Sequence, residues 1–215
     1  QVALLVAGTE PGDSAFDGRT PGQRLVSFNG AAVAENLYVV NGLNITNFRE
    51  MLGSTLVPFP FLEEIQVKTG GYEAEYGRAT GGVVNMVTRS GSNTLHAAVD
   101  VYYLPEGLQG AAPDTALAAS GDDTLETLEA ALSVGGAIVR DRLFYFAFAD
   151  YVDSDILTHF ATPSFRLPMV DRNTQSQPYW GGKVDWTLSA SHRLEGTLLS
   201  YRVDVDLRRW EIDPA

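Results

Sequence analysis

Five stretches in the C-terminal part of this chain alternate apolar and polar residues with period two, and that period confines them to strands. In "TLHAAVDVYYL", Leu95, Ala97, Val99, Val101 and Tyr103 oppose Thr94, His96 and Asp100. Leu128, Ala130, Leu132, Val134 and Ile138 then alternate with Glu129, Ser133 and glycines. In "LFYFAFADYVDSD", Phe144, Phe146 and Phe148 share one face. "YWGGKVDWTLS" sets Trp180, Val184, Trp186 and Leu188 against Lys183, Asp185 and Thr187. In "LEGTLLSYRVDVDLRRW" the phase changes: Leu194, Gly196 and Leu198 hold one face, and Val203, Val205 and Leu207 the other. A one-residue bulge near Leu199–Ser200 would reconcile the two phases. Alternatively, the first residues lie below a bilayer and their phase carries no information.

Each stretch is long enough for the roughly 9–11 residues of a tilted membrane strand. The connections run long (105–126), very short ("VRDR"), long (156–178) and very short ("ASHR"). Outer-membrane barrels have short periplasmic turns and longer extracellular loops, whereas soluble sandwiches vary their loops at both ends. The asymmetry predicts Asp141 on the periplasmic side and Asp122 outside the cell. The Phe144–Phe146–Phe148 face and the rings of Trp180 and Trp186 suit a lipid-facing surface with aromatic girdles. A sandwich core would account for any one strand alone.

Composition removes other classes. No apolar run approaches the roughly 20 residues of a membrane helix, so a membrane-spanning reading requires strands. A mean hydropathy of −0.05 is compatible with strands of alternating facing. The formal net charge of −12 argues against nucleic acid as a partner, since phosphate binding needs clustered Lys and Arg. Without cysteine there are no disulfides and no thiolate metal sites. The opening "QVALLVAGTEPGDS" has neither a basic start nor a cleavage pattern, which places any signal peptide outside this sequence.

Residues 1–93 read differently, being rich in Gly and Asn with short strand-like pieces. "RLVSFNG" and "NLYVVNG" each end in Asn-Gly, a pair suited to the positive φ angles of tight turns. "FLEEIQVKTGG" and "GGVVNMVTRSG" read as two strands, predicting a pairing of 64–69 with 82–88. The chain thus divides into a small mixed domain over 1–93 and strands over 94–215. Taken alone, the first part would also suit a small soluble β-rich domain.

The run "KTGGYEAEYGRATGGVVNMVTRSGSN" resembles the plug signature of TonB-dependent outer-membrane transporters, most closely the Oar-like branch. The resemblance rests on Ile65, Val67, Gly70, Tyr76, Gly77, Gly81, Gly82, Val83, Val84, Asn85, Thr88 and Arg89, in order. "LSVGGAIVRDRLFYFAFADY" and "KVDWTLSASHRLEG" resemble that branch's first barrel strands. Where many such transporters have Arg-Gly, Asp-Gly and Gly-Pro at three plug turns, this chain has Asn29-Gly30, Asn41-Gly42 and Gly70-Gly71. The resemblance implies a mostly β fold, with a plug followed by five strands of a 22-stranded barrel. It makes the chain an internal piece of a longer receptor, with no recognisable TonB box.

The resemblance also implies energy-coupled transport of a bulky solute, such as a peptide or glycan, across the bacterial outer membrane, with the plug gating the barrel. Its partners would be the periplasmic TonB complex, membrane lipids and an unknown transported ligand, with no cofactor and no metal. By position, Asn29, Asn36, Asn47 and Arg49 would contact that ligand through amide and guanidinium hydrogen bonds; the asparagines serve equally well as turn formers. A structural or adhesive envelope protein is the alternative. No enzyme site assembles: His96, His159 and His192 are far apart in sequence, and the glycine-rich run leads into a strand rather than a helix. Asp122 and Asp123, or Asp150, Asp153 and Asp155, are oxygen donors of the type calcium uses, though acidic loops are commonly just solvated. "NIT" at 44–46 is a chance-level glycosylation pattern.

Overall fold

The computed structural model describes residues 2–12, 25–47, 53–54, 57–73, 75–77, 79–110, 120–160 and 169–211. The chain divides into two compact units between Arg89 and Ser90. Helical structure among the described residues is confined to short 3₁₀ turns, none long and apolar enough to cross a membrane.

The first unit contains β1 (Thr9–Pro11), β2 (Val26–Phe28), β3 (Leu37–Val40), β4 (Leu43–Asn44), β5 (Leu62–Lys68) and β6 (Val83–Thr88). β1 and β2 pair with each other; the remaining four form a sheet in the order β4-β3-β6-β5. β3 and β6 are parallel, and the other neighbours are antiparallel. Ile65 faces Met86 and Val67 faces Val84, the pairing expected from alternation. Both Asn-Gly pairs take the left-handed conformation: Asn41 (φ 46°) and Gly42 (φ 82°) close the β3–β4 hairpin, while Asn29 (φ 51°) and Gly30 (φ 79°) turn the chain after β2. Val26, Phe28, Leu62, Val84 and Met86 form one core; Leu37, Val39 and Val83 form a second with Tyr72, Tyr76 and Ala79. Asn41 also clasps β6: its Nδ2 donates to Thr88 Oγ1 (2.7 Å), and its Oδ1 accepts the Thr88 N–H (3.0 Å).

The second unit is an antiparallel meander of β7 (His96–Leu104), β8 (Thr124–Val139), β9 (Leu143–Phe160), β10 (Met169–Ser189), β11 (His192–Tyr201) and β12 (Asp204–Glu211). Each strand pairs with the next as far as β11, and β12 pairs with β10. β11 and β12 are two halves of one strand: β10 pairs Tyr179 with Tyr201 and, in unchanged register, Ser176 with Asp204. The expected bulge at Leu199–Ser200 is absent. The break instead falls opposite Pro178, whose carbonyl accepts the Arg202 N–H (3.2 Å) but which has no N–H to return. Nor is 156–178 a long loop, because β9 runs to Phe160 and β10 starts at Met169. From Asp171 to Gln177 both faces of β10 carry polar residues, so the hydrophobic period that marks a strand vanishes while the strand continues.

Register fixes the facing. Val99, Leu132, Ala149, Trp180 and Ser200 form one cross-strand row, and Ala97, Val134, Ala147, Gly182 and Leu198 another on the same face. This face leaves its apolar side chains uncovered, Trp180 at 53 % and Val184 at 44 % exposure among them. On the opposite face Lys183 and Asp185 retain only 5 % and 3 %. Phe144, Phe146 and Phe148 lie on that buried face, as cross-strand partners of Asp185, Lys183 and Gly181, rather than beside Trp180 and Trp186 as expected. Two glycines make room for the rings: a Cβ on Gly135 would meet the Phe146 ring at 3.0 Å, and one on Gly181 the Phe148 ring at 3.0 Å.

The segment entering β7 is fastened to the β8–β9 turn. Asn93 Nδ2 donates to Asp141 Oδ1 (2.6 Å), and the Asp141 N–H donates back to Asn93 Oδ1 (2.9 Å). This exchange holds Asp141 at φ 61°, a conformation uncommon outside glycine and asparagine.

Candidate functional site

In the first unit the glycine pair before β6 is where three elements converge. The Gly81 N–H donates to the Glu35 carbonyl (3.1 Å), and the Gly82 carbonyl accepts the Leu37 N–H (2.9 Å). A Cβ on Gly81 would crowd Glu35 and Asn36, and one on Gly82 would overlap the Phe28 ring, itself 1 % exposed. These glycines therefore serve close approach rather than an unusual φ. The demanding conformation in the preceding turn belongs to Gly71 (φ 66°), while Gly70 and Gly77 have open space around their Cα atoms.

Tyr76 and Tyr72 close over this region edge to face, with ring centroids 6.4 Å apart. The Tyr72 hydroxyl lies 2.9 Å and 3.1 Å from the carbonyls of Ala79 and Gly81. Lys68 Nζ donates to the Tyr76 hydroxyl (3.2 Å) and sits 4.5 Å from its ring centroid, within cation–π range. Asn85 lies in β6 between Val39 and Gln66, partly exposed.

Of the residues expected to meet a ligand, the described three each have their own backbone partners. Asn36 is 4 % exposed and its amide is engaged at both ends: Nδ2 donates to the Val26 carbonyl (2.6 Å), and Oδ1 accepts the Gly82 N–H (3.1 Å). It ties β2 to the glycine pair, with both ends of its amide occupied by backbone. Sequence gave no warning, because an amide that cross-links backbones and one that greets a solute have the same composition. Asn29 is exposed, occupies a left-handed turn position and donates to the Thr69 carbonyl (2.7 Å). Asn47 is partly exposed, with its N–H on the Gly53 carbonyl (3.0 Å). Arg49 lies outside the described residues. Replacing Asn36 by Ala strands a buried donor and acceptor, so a loss of about 2 kcal/mol in plug stability is expected. Hydrogen exchange at Gly82 and Leu37 would report it; unchanged protection would remove the structural assignment.

In the second unit the buried face carries a charge cluster that alternation alone did not reveal. Lys183 Nζ lies 3.2 Å from Glu195 and 3.8 Å from Asp185, while Arg193 Nη2 donates to Asp185 Oδ1 at 2.7 Å. All four project from the same side of the β10–β11 hairpin, beside its short turn. Pairing with the exposed Arg193 and Glu195 offsets the cost of removing Lys183 and Asp185 from water. No group of three or more candidate metal ligands occurs among the described residues. The acidic triple is split by strand alternation, since Asp150 pairs with Tyr179 on one face while Asp153 and Asp155 pair with Ser176 and Thr174 on the other. Asp123 accepts the His159 N–H (2.6 Å).

Past Tyr151 and Trp180 the outward face turns from apolar to charged, with Glu126, Asp153, Asp155, Arg172, Asp204, Asp206 and Arg208. Arg172 grips Asp155 through Nε (3.0 Å to both oxygens) and Nη2. These hydrogen bonds hold the Asp155 carboxyl below the usual carboxylate range.

Comparison with known proteins accords with this architecture. Residues 1–83 match the family model of the TonB-dependent receptor plug domain. Over 126 residues the chain is 36 % identical to the TonB-dependent transporter Oar of Myxococcus xanthus, an alignment covering 57 % of this chain and 12 % of that protein. The fold is similar to the siderophore receptor PirA of Acinetobacter baumannii, with a TM-score of 0.52 and 18 % identity over 90 % of this chain and 35 % of that one. It is also similar to the ferric enterobactin receptor PfeA of Pseudomonas aeruginosa, with a TM-score of 0.53 and 14 % identity over 100 % of this chain and 39 % of that one. The chain thus spans well under half the length of each. Its first 83 residues match the plug domain of TonB-dependent receptors, and the chain is similar in sequence to the TonB-dependent transporter Oar.

Proposed function

We propose that residues 1–93 form the plug and residues 94–215 the first five strands of a 22-stranded barrel. In this reading the whole receptor imports a bulky solute, a peptide or a glycan, with the plug as gate and the TonB complex as periplasmic engine. One observation carries the reading: a plug-type sheet is followed by a meander whose exposed face is apolar from its short turns up to Tyr151 and Trp180 and whose hairpins are tight at one end only. Transport and reception, rather than catalysis, are the business of the family.

Loss of TonB or of the proton gradient should abolish uptake by the full-length receptor in cells. Uptake indifferent to both would favour the alternative, an adhesive or structural envelope protein using the charged ends of β9, β10 and β12. Orientation has its own measurement, helped by the lack of native cysteine in this sequence. In intact cells an impermeant maleimide should label Asp122→Cys and spare Ser191→Cys, which lies in the short β10–β11 turn. The reverse labelling would invert the topology.

A further inference from the structure

The buried face of the second unit carries three carboxylates that lie apart from the charge cluster beside the β10–β11 turn. Asp100, Ala131 and Asp150 form one cross-strand row over β7, β8 and β9, which continues through Tyr179 and Tyr201. Glu129 stands two residues along β8 from Ala131, on the same face. Ala131 thus makes a small floor with an acid on three sides. With neighbouring strands about 4.8 Å apart, the backbones bearing Asp100 and Asp150 are separated by about 10 Å, room for one group between the acids. Asp150 is only 5 % exposed, and its Oδ1 has no hydrogen-bond partner. Asp100 and Glu129 are partly buried. The row lies level with Tyr151 and Trp180, where the outward face turns from apolar to charged.

A carboxylate withdrawn from water in this way is costly unless a cation meets it. The described lysine and arginines of this face are engaged elsewhere: Lys183 with Glu195, Arg193 with Asp185, and Arg209 with Asp171. In the first unit, Lys68 is held by Tyr76, and Arg89 by the Leu62 carbonyl. Among the described residues no ion pair reaches Asp100, Glu129 or Asp150. The spacing also selects the kind of cation. A metal ion needs oxygens converging to about 2.5 Å from it, and no such set of ligands forms among the described residues. A protonated amine or a guanidinium carries donors in several directions, which suits acids spread around a floor. Beside that floor the Tyr179 and Tyr201 rings stack, with centroids 6.2 Å apart. Tyr201 is 47 % exposed, which leaves aromatic surface for a cation or the stem that bears it.

We propose that this patch binds a lysine or arginine side chain of the cargo, which makes the transported solute a basic peptide rather than a glycan. The assignment rests on the transport reading and narrows its substrate class. Purified full-length receptor should be titrated by calorimetry with hexalysine, with fully acetylated hexalysine and with maltohexaose. The titrations should be repeated on Asp150→Asn/Glu129→Gln and on Asp153→Asn/Asp204→Asn, the latter removing two acids from the outward face.

The parent should bind hexalysine and neither of the other two probes, a comparison that needs no variant to fold. The inner-face variant should lose roughly tenfold in hexalysine affinity, the weight of one charge-assisted contact. The outward variant should lose less than about twofold. Unchanged affinity in the inner-face variant overturns the proposal, and so do equal losses in both variants, which would mark general attraction to an acidic protein. Binding of maltohexaose in place of hexalysine overturns it as well. The periplasmic domain of TonB, titrated into the same preparation, separates this failure from failure of the transport reading. A receptor that binds TonB but not hexalysine loses only the basic-peptide assignment, whereas one that binds neither loses both.

Discussion

Full-length receptor carrying Gly82→Val should reach the outer membrane as a folded barrel but take up no cargo, or leak antibiotics passively. The valine has nowhere to go. Its Cβ would overlap the Phe28 ring, which packs with Val26, Leu62, Val84 and Met86. The backbone cannot retreat, because the Gly82 N–H is held by Asn36 and its carbonyl by the Leu37 N–H. Overpacking a tight core costs about 1–3 kcal/mol, and a site pinned from both sides belongs at the upper end. Phe28→Leu in the same background should recover part of the function by vacating volume, a rescue that general misfolding would not show. Wild-type uptake without leakage in Gly82→Val would refute the close-packing role.

The second large effect is expected on the sheet. Val184 stands on the exposed apolar face, opposite Tyr145 on one neighbour and Gly196 on the other. An arginine facing lipid at mid-bilayer costs roughly 2–4 kcal/mol. Thr187, on the opposite face and paired with Arg193, should accept an arginine with less harm. The yield of folded, heat-modifiable receptor should therefore fall severalfold for Val184→Arg and much less for Thr187→Arg. Equal yields would undo the facing assignment.

Much of this was legible from residues, and the misreadings have identifiable causes. Alternation located β7, β8 and the lower half of β10 because one face of each is apolar and the other is not. It failed in "LFYFAF", where Tyr145 and Phe144 fall in opposite phases and both are aromatic. Only the partner strand decides, by offering glycines to the phenylalanine side. Alternation was equally silent over 156–178, since a strand with polar residues on both faces from Asp171 to Gln177 has no apolar period to detect, even where it buries Gln175. The plug turns could be read because Asn-Gly states its own backbone geometry. Asn36 could not, because its role depends on Val26 and Gly82, distant in sequence and adjacent in space.

Pro178 gives the second unit a mechanical property. Strand β10 is flanked on both sides, a place where proline is rare, and the pairing opposite lapses for two residues while the register on either side stays in step. A slip would have locked the two halves into different phases. An in-register gap instead leaves a two-residue notch between β10 and the β11–β12 strand, while the β9–β10 ladder runs on unbroken through Pro178. The sheet can thus absorb a local distortion along that one edge without any strand changing its register.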